Sequence, residues 1–150
     1  MDNKEIINQL YSSRKLSSNV DYELFDEALE KLDGNIVIDD VYEICKVFYD
    51  GTNDDEVMFG MVHLIEQLRG EDYLDCIAKC TPNMNEAHEW AMTLNKRIIN
   101  SQEYFDKYIA VINNLESHNK DNILNLLKDV KNDNPKKFSE KIDLILNCTK

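Results

Sequence analysis

Apolar residues recur along this chain at helical spacing. Ile6, Ile7, Leu10 and Tyr11 form a first stripe, Leu24, Phe25, Ala28, Leu29 and Leu32 a second, and Val41, Ile44, Cys45 and Phe48 a third. Val57, Met61, Leu64, Ile65 and Leu68 follow, then Ala87, Trp90, Ala91, Leu94 and Ile98. Tyr104, Tyr108, Val111, Ile112 and Leu115 resume after a break at Asn100-Ser101. Ile123, Leu126, Leu127 and Val130, and then Phe138, Ile142, Ile145 and Leu146, complete the series. Residues three and four apart share one side of an α-helix, so each stripe predicts an amphipathic helix. Ile36-Val37-Ile38 is the one β-branched run, and it is too short to outweigh that pattern. The expectation is an all-α chain of eight or nine helices. Short links favour antiparallel neighbours, and pairs stacked in sequence would make a HEAT-like α-solenoid forming a single domain over residues 1–150.

Helix ends are marked locally. Asp40-x-x-Glu43, Asn53-x-x-Glu56, Asn83-x-x-Glu86 and Asn100-x-x-Glu103 each place a capping side chain three residues before a Glu. Such a pair satisfies two orphan amides, which predicts helix starts near residues 41, 54, 84 and 101. Asn134-Pro135 reads as an N-cap followed by proline at the first helical position. Gly34, Gly51 and Gly70 follow apolar stretches, where a helix-terminating residue belongs.

Charge changes the picture. The chain has 150 residues, with 29 acidic against 17 basic, a formal net charge of −12. Residues 21–75 hold seventeen of the acids and only Lys31, Lys46 and Arg69 of the bases, a local net of −14. An excess of this sign argues against direct nucleic-acid binding, which needs clustered Lys and Arg. No apolar run approaches the ~20 residues of a membrane span. The first residues, Met1-Asp2-Asn3-Lys4-Glu5, do not resemble a secretory signal, so a cytoplasmic protein is expected. Part of the acidic excess is the ordinary solvation of helical surfaces. Its concentration in one half also points to a partner of opposite charge.

No motif for catalysis, cofactor or metal binding emerges. Cys45, Cys76, Cys80 and Cys148 form no C-x-x-C pair, and His63, His88 and His118 stand singly. His88-Glu89-Trp90-Ala91-Met92 lacks the second histidine of a zinc-protease helix. The acidic run Asp50–Glu56 has its glycine at the wrong place for a calcium loop. Trp90, flanked by Ala87 and Ala91, is expected to anchor the core. Arg97 is expected to be partly buried near the same azimuth, paired with Glu66 or Glu103. His63 falls opposite the apolar stripe of its helix, where it is either simply exposed or a polar contact on a binding face.

The stretch Glu56-Val57-Met58-Phe59-Gly60-Met61-Val62-His63-Leu64-Ile65-Glu66, followed by Glu86-Ala87-His88-Glu89-Trp90-Ala91-Met92-Thr93-Leu94-Asn95-Lys96-Arg97-Ile98-Ile99-Asn100-Ser101 and Tyr104, resembles the bacterial immunity proteins of the immunity protein 30 family. The resemblance spans residues 54–108, with His63, Glu66, Trp90, Arg97, Asn100, Ser101 and Tyr104 among the matching positions. It implies an all-helical protein of a polymorphic toxin system that binds and blocks a cognate toxin; with no catalytic motif in the chain no enzymatic activity is expected, and the protein is expected to be monomeric alone. Charge suits that implication, because an acidic protein fits the basic groove of a nuclease toxin. Asp54, Asp55, Glu56, Glu71, Asp72 and Asp75, around one inferred helical hairpin, are with His63 the candidate partner contacts. Tyr22, Tyr42, Tyr49 and Tyr73 interleave with those acids and are either interface anchors or ordinary packing. Trp90, Arg97, Glu66, Asn100 and Tyr104 are the candidate structural residues. Two other readings remain at this point: a helical-repeat scaffold that binds a peptide, and an acidic nucleic-acid mimic acting on a nuclease.

Overall fold

The structure, a computed structural model, describes residues 2–149. Among them are nine α-helices, one 3-10 turn and no strand: α1 Asn3–Ser13, α2 Asn19–Leu32, α3 Ile38–Ile44, α4 Asp55–Ile65, α5 Glu71–Cys80, the turn Thr81–Asn83, α6 His88–Ile99, α7 Gln102–Asn113, α8 Ser117–Asp133 and α9 Pro135–Cys148. They divide into two compact units, the first ending at Arg69 and the second beginning at Gly70.

In the first unit, α1 packs along α2 and also touches α3, while α4 packs on α2 and α3. Leu10, Phe25, Ala28, Leu32, Val41, Ile44, Met58, Met61, Val62 and Ile65 are wholly buried between these helices. The α4 stripe is rotated from the one expected. Met58 and Val62 are buried, whereas Val57 and Leu68 are only half-buried. Arg14, at the end of α1, is 6% exposed. Its guanidinium lies 4.2 Å from the Tyr11 ring centroid and 4.7 Å from that of Tyr49. It also donates to the carbonyls of Lys46, Val47 and Phe48 at 3.3, 3.4 and 3.5 Å. Cation–π stacking and carbonyl dipoles thus hold the charge where water is scarce. Next to it, Leu16 adopts φ +54° while its side chain is 2% exposed. The left-handed backbone costs about 1–2 kcal/mol, and burial of the isobutyl group offsets it.

In the second unit, α6 packs on α7 and α8, α5 packs on α7 and α8, and α8 runs along α9. Trp90 is buried at 7% exposure, as its small neighbours predict. A polar chain runs through this core. Asn95, with no exposed surface, donates to Thr81 Oγ1 at 3.0 Å and to the Ala91 carbonyl at 2.9 Å. Its Oδ1 accepts from the Tyr108 hydroxyl, and Thr81 donates to the Ile77 carbonyl at 2.6 Å. Each link gives a buried polar atom a partner, the condition for tolerating such groups in a core. Burial raises the Tyr108 phenol far above its ordinary range, because the anion has no solvation there.

The expected helix starts shift by one to four residues. Asp54 rather than Asn53 caps α4, accepting the Val57 amide at 3.0 Å. Ser101 rather than Asn100 caps α7, accepting from Tyr104 at 3.2 Å. Both capping residues hold extended backbone, and that conformation decides which of two adjacent acceptors takes the position. Asp40 lies inside α3, where its carboxylate accepts the Val37 amide at 2.9 Å. Asn83 falls in the 3-10 turn, and α6 starts later, from Ala87 with no side-chain cap. Asn134 does cap α9 ahead of Pro135, at 3.3 Å to the Lys137 amide. Gly34, at φ +74°, follows the end of α2 as expected. Gly70, at φ +94°, instead begins α5 as its N-cap.

Candidate functional site

The candidate contacts fall in both units. Asp54, Asp55, Glu56 and His63 belong to the first; Glu71, Asp72 and Asp75 belong to the second. Several have local structural work. Asp54, besides capping α4, accepts the Tyr22 hydroxyl at 3.0 Å, and that bond raises the Tyr22 phenol above its ordinary value. Asp55 and Glu56 are exposed in the first turn of α4, as Glu71 and Asp72 are in the first turn of α5. Carboxylates there complement the positive end of the helix dipole. Asp75 pairs with Lys79 one turn later at 2.8 Å, a hydrogen bond that raises the lysine's pKa.

The interleaved tyrosines are half-buried or buried. Tyr73 is buried, Tyr49 lies beneath Arg14, and Tyr22 is tied to Asp54. Among the structural candidates, Trp90 is core and Tyr104 is half-buried. Asn100 and Glu66 are C-caps of α6 and α4. Arg97 is exposed, which corrects its expected partial burial. It follows Trp90 by one heptad, and a heptad misses two full turns by about 20°. Trp90 already sits at the edge of the buried stripe, and the long arginine side chain reaches water from there.

A second acidic feature was not singled out in sequence. Glu23, Asp26, Glu27 and Glu30 of α2 and its C-cap Asp33 are all exposed. Their spacing of three and four residues places them on one side of the helix, opposite buried Phe25, Ala28 and Leu32. Glu27 pairs with Lys31 at 2.7 Å. Among the described residues, Glu23, Asp26 and Glu30 have no ion-pair partner. Their spacing is visible in sequence, although they lie outside the inferred hairpin around which the candidate contacts cluster.

This acidic side borders a recess of about 240 Å³ within the first unit. Leu29, Glu30 and Asp33 line it from the α2 side, and Gly60, His63, Leu64 and Gln67 from the α4 side. His63 is exposed, and its ring meets Phe59 edge-on at 5.1 Å between centroids. Gln67 clasps the end of α2: its Oε1 accepts the Gly34 amide at 2.9 Å and its Nε2 donates to Asp33 Oδ1. Gly60 is constrained by space. A Cβ there would stand 3.0 Å from Leu29 Cδ1, so the bare backbone permits the close approach of α2 and α4.

The second unit holds another recess, lined by Pro82, Asn83, His88, Asn122, Asn125 and Asp129 among others. His88 Nε2 lies 3.4 Å from Asp129 there. Cys76 and Cys80 approach with 3.7 Å between sulfurs on α5. Among the described residues, no group of three or more His, Cys, Asp or Glu side chains is placed to hold a metal. No described helix is long and apolar enough to cross a membrane.

Comparison with known proteins agrees with the sequence resemblance and extends it. The family model for Immunity protein 30 matches residues 12–108, well over half of the chain, so the likeness begins near the end of α1 rather than at residue 54. No curated protein and no solved structure matches the chain.

Proposed function

The chain belongs to the immunity protein 30 family, and from that premise we propose that it binds and neutralises a cognate toxin by covering the toxin's active site with the acidic surface of its first unit. The supporting observation is the row of exposed α2 carboxylates, three of which lack an ion-pair partner among the described residues. The acids of α5 sit in its first turn, at the positive end of the helix dipole, or pair with Lys79, whereas Glu23, Asp26 and Glu30 have neither arrangement among the described residues. Free carboxylates steer an oppositely charged partner and accelerate encounter. A nuclease, whose substrate groove is basic, is the toxin class that fits. The protein acts stoichiometrically, without catalysis or cofactor, as a cytoplasmic monomer before it meets the toxin. A HEAT-like stacking of successive pairs goes with this reading at α1–α2 and α8–α9. The packing of α5 on α7 and α8 departs from strict pairwise order.

The test is co-expression with the toxin domain encoded in the neighbouring reading frame. Growth should be restored by this chain, and the purified pair should associate one to one, with an on-rate that falls steeply as salt rises. A toxin that kills regardless of this chain would refute the proposal. Association with unrelated nucleases at equal strength would favour a general nucleic-acid mimic instead.

A further inference from the structure

The recess between α2 and α4 has features that the acidic surface around it lacks. Its walls combine an apolar pair, Leu29 and Leu64, with two carboxylates, Glu30 and Asp33. Asp33 engages Gln67 through Oδ1, and Glu30 has no ion-pair partner among the described residues. The charge of the first unit is itself lopsided, with sixteen acids against six bases. An anionic group would be repelled here, and a purely apolar one would desolvate the carboxylates without compensation. A long aliphatic stem ending in a cation satisfies both halves: the stem lies on the leucines while the cation meets Glu30. At about 240 Å³ the space suits one long side chain and not a helix.

We propose that this recess is the point where a single lysine or arginine side chain of the toxin docks, with Glu30 as its charge partner and His63 and Leu64 as its wall. The inference rests on the immunity reading and makes it specific, because it turns a diffuse acidic field into one anchored contact. Arginine and tyrosine anchors seated in pockets dominate many interfaces, and neighbouring charges mainly set the encounter rate. The backbone at Gly60 makes the site narrow, and the Gln67 clasp fixes the end of α2, so the recess exists before the partner arrives.

The experiment titrates the isotope-labelled full chain with a blocked Gly-Arg-Gly peptide and follows backbone amide shifts. The expected result is a saturable response at Gly60, His63 and Gln67. Glu30→Gln should weaken it by about two- to fivefold, the usual range for one exposed ion pair. Glu140→Gln, at an exposed position of α9, should leave it unchanged. An equal response to a peptide with norleucine in place of arginine would overturn the proposal, as would a response untouched by Glu30→Gln. Tighter binding of free arginine than of the blocked peptide would assign the recess to a metabolite and overturn it too. Growth protection is read in parallel. Full protection by Glu30→Gln and by His63→Trp, which fills the recess, would place the toxin contact elsewhere while leaving the immunity reading intact. Absence of protection by the unaltered chain would overturn the immunity reading itself, whatever the peptide does.

Discussion

The two units use the same residue types for different ends. The first has sixteen acids and six bases, a net of −10; the second has thirteen and eleven, a net of −2. In the second, Asp75 pairs with Lys79, Asp133 with Lys96 at 2.6 Å and Asp143 with Lys131 at 2.7 Å, and Asp129 lies near His88. In the first, the pairs include Glu27 with Lys31 inside α2 and Glu43 with Lys46 just past the end of α3, each between near neighbours in sequence. The cores differ in parallel. The second unit buries a neutral chain of Thr81, Asn95 and Tyr108, whereas the first buries the charge of Arg14. More of the second unit's charge is therefore balanced within that unit, and the first unit carries the larger surplus. Breaking the second unit should accordingly show as lost stability, and altering the first unit's surface as lost binding.

The largest effect is expected at Trp90. Truncation to alanine removes a buried indole and should cost about 3–5 kcal/mol in denaturant unfolding. A cost below about 1 kcal/mol would mean that α6 is not anchored through this ring. Next comes Tyr108→Phe, which deprives buried Asn95 Oδ1 of its donor and should cost about 1–3 kcal/mol. It also carries a pH signature. The Tyr108 phenol is raised in the folded chain from the ordinary value of 10.0. The unfolded chain therefore loses this proton first. The tyrosine's contribution is fully present below about pH 10 and declines above it. The stability gap between the unaltered chain and Tyr108→Phe should narrow as pH climbs past that point. A constant gap would show that the hydroxyl titrates normally.

Much of this contrast was readable beforehand, and the unreadable part has physical causes. The stripes of α6, α8 and α9 were plain because large apolar residues recur on one side, and Ala87, Trp90, Ala91, Leu94 and Ile98 are all buried. Helix α5 is just as one-sided, with Tyr73, Leu74, Cys76, Ile77 and Ala78 buried, but it is short and holds only two large aliphatic residues, Leu74 and Ile77, so the series of stripes passes over it. Asn95 resembled a surface residue, because its partners Thr81 and Tyr108 lie on other elements and no local pattern announces them. Arg14 was silent for the same reason. The acidic excess is legible in sequence, but which acids are engaged in structure is not. Asp54 and Asp75 are committed to Val57, Tyr22 and Lys79, while Glu23, Asp26 and Glu30 of α2 have no ion-pair partner among the described residues.

Asp54→Ala separates a committed acid from a free one. It removes the α4 cap and the acceptor of the Tyr22 hydroxyl, so about 1–2 kcal/mol should be lost. If unfolding were unchanged while toxin association slowed, Asp54 would belong with the free acids and the contrast drawn above would be misplaced there.

The smallest expected effect on stability is also the sharpest test of the contrast. Glu23→Lys with Asp26→Lys reverses two exposed charges in the body of α2, away from its first turn and without breaking an ion pair among the described residues. Folding should change by no more than about 0.5 kcal/mol. Asp106→Lys with Asp121→Lys makes the same change in net charge at exposed positions of the second unit. If only total charge mattered to the toxin, the two double variants would associate equally slowly. If the field of the first unit is what the toxin meets, the α2 variant alone should lose on-rate, and its salt dependence should flatten because fewer charges are left to screen. The dissociation rate should move little in both, since rim charges act on encounter more than on the bound state. Stopped-flow association across a range of salt concentrations reads all three quantities. Equal slowing in the two variants would mean that unpaired acids in the first unit confer solubility and nothing directional.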